Sequence, residues 1–149
     1  MCQKLKPTDV ISKLPYAKPF LFVDELTFLS ENKAEGNFHF LPELDFYKGH
    51  FKDNPVTPGV ILTECMAQIG LVSLGIYLLS DSENIKNLKI GLTSTEIEFL
   101  KPVYPDEKVQ VLSEKIYFRF NKLKCKVQML DSENDVVCRG SIAGMILNN

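Results

Sequence analysis

His50, Gly59, Glu64 and Gln68 fall in one short stretch of the sequence, and together they could do chemistry at a carbonyl. An imidazole, with an ordinary pKa of about 6.5, accepts protons near neutral pH. A carboxyl in apolar surroundings has its pKa raised and can donate a proton. A glycine opening a helix leaves its amide sterically free at the positive end of the helix dipole. Base, acid and oxyanion stabiliser form a kit for removing a proton alpha to a carbonyl. Glu64 and Gln68 lie four residues apart and so share a helix face. Each residue alone has a plainer role. A lone histidine is more often structural, and a carboxyl on a buried helix must be paired, hydrogen-bonded, protonated or placed at a cavity. His39, between Phe38 and Phe40 in a strand-like run, is read as structural; Tyr16, Phe20 and Phe22 are read as core.

The element that must carry this set is the apolar run Pro58 to Leu79, PGVILTECMAQIGLVSLGIYLL. Its length suits a membrane span of about 20 residues. Thr63, Glu64, Gln68 and Ser73 interrupt it, however, and a glutamate is costly in hydrocarbon. The pattern predicts a helix buried inside a soluble fold, with Thr57 as its cap, Pro58 in its first turn and Gly59 exposing its amide. The polar run Ser80 to Asn84 closes it as a surface loop.

Period-two alternation then predicts strands over Ile90–Leu100, Lys108–Phe120, Lys122–Asp131 and Val136–Leu147. Cys125, Val127 and Met129, alternating with Lys124, Lys126 and Gln128, are the clearest case. Phe120-Asn121-Lys122 and Ser132 to Asp135 read as hairpin turns, and Pro102 and Pro105 bracket a break. Phe20–Phe28 and Lys33–Leu41 form a further expected strand pair. The economical solution is an α+β fold, an antiparallel sheet wrapped around one long central helix, with residues 1–149 as a single domain. Such a sheet has open edges, and pairing two protomers edge to edge removes one of them.

Composition narrows the function. The 17 lysines and arginines nearly balance 19 acids, for a net charge of −2, and only Arg119 and Arg139 are arginines. That argues against nucleic-acid binding or phosphate clamping as the main role. Cys2, Cys65, Cys125 and Cys138 have no metal or redox spacing, and with two histidines no metal site is expected. The apolar run of a signal peptide is missing from Met1 to Lys13, so a cytoplasmic location with reduced, buried thiols is the expectation.

At these same residues the sequence closely resembles the FabZ-type 3-hydroxyacyl-[acyl-carrier-protein] dehydratases of the hotdog-fold superfamily. Leu14-Pro15 and Pro19-Phe20-Leu21-Phe22-Val23-Asp24 resemble the family's LPH-x-x-PFLLVD opening. Gly49-His50-Phe51 matches GHF, Pro55 to Val60 matches PVMPGV, and Glu64 to Gln68 matches E-x-x-AQ. Phe99 to Pro105 resembles F-x-x-PV-x-PGD, so the likeness spans essentially the whole chain. The resemblance implies that His50 removes the alpha proton of a 3-hydroxyacyl thioester and that Glu64 assists departure of the hydroxyl as water. It implies that the Gly59 amide polarises the thioester carbonyl and Gln68 organises the site, with Phe51 and Val60 among the substrate-binding residues. It further implies a homodimer whose sites combine His and Glu from different protomers, alone or as a trimer of dimers. The substrate would ride on the phosphopantetheine of acyl carrier protein, with no metal or redox cofactor. Glutamate at position 64, where isomerising relatives carry aspartate, argues against shifting the new double bond.

Among the departures from the family pattern, four fall in its opening and in two loops. Tyr16 replaces the opening histidine and Ala17 the arginine that often follows it. Lys52 stands where proline follows GHF, and Asp106 where glycine follows Pro105. They leave open the chain length and the pathway, housekeeping fatty acid or specialised polyene and polyketide. A hotdog thioesterase using Glu64 to activate water, and a non-catalytic partner subunit of a dehydratase, are the competing functions. Because carrier proteins are acidic, Lys86, Lys89, Lys101 and Lys124 are the expected docking patch.

Overall fold

The computed structural model describes residues 4–81 and 88–147. One helix of twenty residues, Gly59–Leu78 (α2), lies against a six-stranded sheet in the order β1-β2-β4-β5-β6-β3, every neighbouring pair antiparallel. The strands are β1 (Glu25–Leu29), β2 (Lys33–His39), β3 (Lys89–Phe99), β4 (Lys108–Arg119), β5 (Lys122–Leu130) and β6 (Val136–Leu147). This is the hotdog architecture expected from the sequence.

The alternation works as its chemistry requires. On β5, Leu123, Cys125, Val127 and Met129 are buried against the helix. On α2, Ile69, Leu71, Leu74 and Ile76 are fully enclosed, each stabilising the fold by about 1.5–3 kcal/mol. The run long enough to cross a membrane is thus the core of this fold, with 72% of its most apolar window buried.

Both hairpins form. Phe120 and Asn121 take φ of 52° and 63°, the left-handed pair a two-residue turn demands. At the second, Asp131 Oδ1 accepts the Glu133 and Asp135 amides at 2.9 and 3.0 Å, and Asn134 sits at φ 64°.

Two expectations need correction, and one further element is added. The segment from Phe20 to Asp24 is not a strand; β1 starts at Glu25. Its backbone finds partners on the helix instead: the Phe22 amide donates to Gln68 Oε1 at 2.7 Å, and Phe20 and Phe22 carbonyls accept from Gln68 Nε2 and Cys65 Sγ. Thr57 does not cap α2. Pro58 holds the cap position without a side-chain bond, because the Thr57 hydroxyl pairs with Tyr47 and its amide with the Val103 carbonyl. A short helix α1, Pro7–Ser12, was not anticipated; it opens on a proline and buries only Val10, too little periodicity to read.

The helix α2 is also not uniform. Its middle, Ala67–Val72, is π-helical between α-helical segments Gly59–Met66 and Ser73–Leu78. Ser73 Oγ donates to the Gln68 carbonyl at 2.7 Å and Ser113 Oγ to the Gly70 carbonyl at 2.8 Å. Two buried hydroxyls thus serve the carbonyls that a widened turn holds poorly. Cys65, Cys125 and Cys138 are buried free thiols, whereas Cys2 lies outside the described residues.

Candidate active site

A single 3-10 turn, Asp45–Lys48, delivers Gly49 and His50 to the start of α2. The backbone then fixes the imidazole. The His50 amide donates to the Phe46 carbonyl at 3.0 Å, and the Val56 amide donates to the His50 carbonyl at 2.9 Å. The ring Nδ1 lies 2.9 Å from the Val56 carbonyl oxygen. A carbonyl only accepts, so Nδ1 carries the hydrogen and Nε2 keeps its lone pair. That is the tautomer a proton acceptor needs. Phe51 stacks on the ring, centroids 4.1 Å apart and planes 25° apart.

Gly59 opens α2, and its amide has no backbone acceptor among the described residues, as expected for a first helical turn. A Cβ at Gly59 would sit 3.2 Å from the Phe99 ring, so only glycine lets the ring close over this amide without displacement. Val60 beside it is 76% exposed and Phe51 is 58% exposed, which leaves the apolar rim of the site uncovered in one chain.

One turn further, Glu64 is half-buried. Burial pushes its carboxyl above the ordinary value, while the Gln68 hydrogen bond pulls it back in part. Gln68 itself is fully enclosed. Its Nε2 donates to Glu64 Oε1 at 3.1 Å and to the Phe20 carbonyl at 3.0 Å, and its Oε1 accepts the Phe22 amide. It therefore ties the acid to the irregular N-terminal segment. No hydrogen bond or ion pair joins His50 to Glu64 among the described residues. The chain thus holds two candidate half-sites: His50 with Phe51 just before the helix start, and Glu64 with Gln68 along the helix face.

His39 lies elsewhere. Its backbone amide donates to Asp24 at 2.7 Å and its ring bonds Asp106 at 2.7 Å. Asp106, at φ 76°, occupies the left-handed position where the motif has glycine, and its carboxylate finds the histidine there. No cluster of histidine, cysteine and carboxylate able to hold a metal occurs among the described residues. The expected lysine patch does not hold together. Lys101 is engaged by Asp131 at 2.6 Å and Asp135 at 3.0 Å beyond the Phe99 end of β3. Lys89 starts that strand at its other end, Lys124 lies on β5, and Lys86 falls outside the described residues.

Sequence reasoning missed Tyr47, whose hydroxyl pairs with Thr57 beneath the helix start and couples the two segments flanking the loop. The only available signal was that Thr57 stands where the motif carries methionine.

The chain was compared with known proteins. The model of the FabA-like domain matches residues 14–142. The 3-hydroxyacyl-[acyl-carrier-protein] dehydratase FabZ of Caldicellulosiruptor saccharolyticus is 32% identical, covering 91% of this chain and 94% of its own. The FabZ of Bacillus licheniformis is 35% identical, covering 87% of each, and that of Ehrlichia ruminantium 38% identical, covering 80% and 81%. Among solved structures, the dehydratase heterocomplex ApeI:P of Xenorhabdus doucetiae aligns with a TM-score of 0.79 at 12% identity, over 98% of this chain and 94% of that one. A thioesterase of Haemophilus influenzae aligns at 0.60 with 17% identity, over 83% and 78%. The two structures show the fold, whereas the family model and the sequence relatives cover most of the chain, and the chain belongs to the FabA-like family of hotdog proteins as a FabZ-type member.

Proposed function

We propose that the protein is a hydro-lyase that removes water from 3-hydroxyacyl thioesters carried on acyl carrier protein, giving trans-2-enoyl thioesters. The carrying observation is the state of the two half-sites: an imidazole locked with Nε2 free, and a carboxyl that burial biases toward its protonated form. His50 Nε2 takes the alpha proton, and the C–H electron pair becomes the new double bond through an enolate. The Gly59 amide bonds the thioester oxygen as charge builds there. The C3–O bond breaks, Glu64 gives its proton to the departing hydroxyl, and water leaves. Return of the proton from His50 to Glu64 through solvent restores the site. No electrons are exchanged, so the reaction needs no redox cofactor.

Phe51 and Val60 would line the acyl path, and the whole chain acts as one domain. The lack of any hydrogen bond or ion pair between His50 and Glu64 among the described residues of one chain supports a homodimer in which His50 of one protomer faces Glu64 of the other, alone or in a trimer of dimers. The exposed rim at Phe51, Val60 and Phe99 is the surface such a partner would cover. The protein would work in the cytoplasm, in fatty-acid or related polyene and polyketide synthesis. Carrier protein would dock on Lys89 and Lys124, which make no ion pair among the described residues, rather than on Lys101.

The test is mass spectrometry of the purified protein with 3-hydroxyacyl carrier-protein substrates of several chain lengths. Loss of one water with the thioester intact is expected. Release of free holo-carrier would replace this reading with a thioesterase. A silent homodimer that gains activity with a second subunit would make it one half of a heterocomplex.

A further inference from the structure

Gln68 has no hydrogen-bond donor left for a substrate. Its two amide hydrogens go to Glu64 and Phe20, and its oxygen takes the Phe22 amide. The 3-hydroxyl of a bound acyl chain therefore needs a second donor beside Glu64 from elsewhere. Tyr16 is placed to supply it. It lies in the irregular segment that Gln68 ties to the helix, and its half-buried ring packs on Phe20, centroids 6.4 Å apart and planes tilted by 47°. Its hydroxyl makes no protein hydrogen bond among the described residues and, since no enclosed side-chain oxygen there lacks a partner, it opens to solvent, whereas the hydroxyl of buried Tyr47 is engaged by Thr57. A tyrosine with a half-buried ring and an accessible O–H offers that donor to a ligand.

We propose that the Tyr16 hydroxyl is a substrate-contacting group of this site, donating a hydrogen bond to the 3-hydroxyl oxygen of the acyl thioester next to Glu64. The inference rests on the dehydratase reading. Burial and the neighbouring Glu64 carboxylate push the phenol up to about 12, so it stays protonated throughout the working range and acts only as a donor. As the C3–O bond breaks, negative charge gathers on the leaving oxygen. Glu64 transfers its proton there, and the Tyr16 bond strengthens without moving a proton of its own. Tyr16 also makes the site selective, since a chain lacking the 3-hydroxyl leaves the phenol unpaired.

Two measurements test this on the full-length protein. The first is steady-state dehydration of a 3-hydroxyacyl-pantetheine thioester by wild type, Tyr16→Phe and Tyr16→His. Tyr16→Phe should lower kcat by about tenfold with KM little changed, as loss of a bond strengthened in the transition state requires. Tyr16→His, which keeps a donor, should recover part of the loss. The second is binding in a His50→Ala background, comparing the 3-hydroxyacyl thioester with the saturated thioester that lacks the hydroxyl. The preference for the hydroxylated ligand should disappear when Tyr16→Phe is added. Retention of both wild-type kcat and the binding preference in Tyr16→Phe overturns the proposal. A fall in kcat with the preference intact overturns the contact as well. Were wild type to dehydrate nothing, the reaction assignment would fall, and the binding comparison would still decide whether Tyr16 reads a hydroxyl.

Discussion

From Gly59 to Gln68, α2 carries Thr63, Glu64 and Gln68 and leaves Val60 in solvent; from Ile69 to Ile76 every residue is buried. The polar face of the first half meets irregular chain at the Phe20–Phe22 segment, while its apolar face also packs on β4 and β5. The π-helical middle is packed by β2, β4, β5 and β6, and Gly75 by Ile90 and Leu123. A sheet satisfies its own backbone and asks the helix only for apolar volume. Irregular chain brings unpaired amides and carbonyls, which polar helix side chains must meet. Glu64 and Gln68 thus mark the face whose cover is not a sheet, and there a pocket with directed hydrogen bonds can be built.

The largest effect that should separate the halves is catalytic. His50→Ala or Glu64→Gln should each lower kcat by about 10²–10⁴-fold while thermal unfolding stays at the wild-type midpoint. Wild-type turnover in both variants would remove the chemical role of the first half. Gln68→Ala joins the two behaviours. It leaves the Phe22 amide unpaired in the core, costing about 1–3 kcal/mol in denaturant unfolding. It also removes a bond that favours ionised Glu64, so the carboxyl rises further. Glu64 must be protonated to act, and activity is lost as pH rises through its pKa. The alkaline limb of kcat should therefore move to higher pH; movement to lower pH would contradict the assignment.

Gly70→Ala probes the second half alone. Its Cβ would lie 2.8 Å from Ser113 Cβ, and overpacking there should cost about 1–3 kcal/mol of stability with kcat per folded molecule unchanged. The smallest effect concerns the carrier. Charge reversal at Lys89 and Lys124 should raise KM for carrier-bound substrate by a few-fold, at most about tenfold, and leave small pantetheine thioesters unaffected. Lys101→Glu should not share this selectivity, because its ammonium already sits between two carboxylates. Equal shifts on both substrates would dismiss a docking role.

What could be read from the sequence followed the same division. Alternation such as Leu123, Cys125, Val127 and Met129 is a direct consequence of burying one face, so β3 to β6 were placed within a residue or so of their ends. Phe20–Phe22 has the composition of a strand but pairs with Gln68 and Cys65. Residue type does not tell whether a strand or a helix side chain will meet an extended backbone. Thr57 has the type of a cap, yet a nearer hydroxyl on Tyr47 claims it. His50, Gly59, Glu64 and Gln68 stood out by type and spacing. The tautomer of His50 and the saturation of Gln68 depend on the Val56, Phe20 and Phe22 backbone, whose direction the one-dimensional sequence does not carry.

The π segment Ala67–Val72 stands between the two halves like a phase joint. An α-helix advances by about 100° per residue, so one residue accommodated in a widened turn resets which side of the rod faces what. The reactive face bearing Glu64 and the packing face bearing Leu74 can be aligned to their neighbours independently. Deleting a single residue inside the joint would let the widened turn close to ordinary α-helix with both faces still aligned, whereas the same deletion within either α-helical segment would twist one face against the other by about 100°.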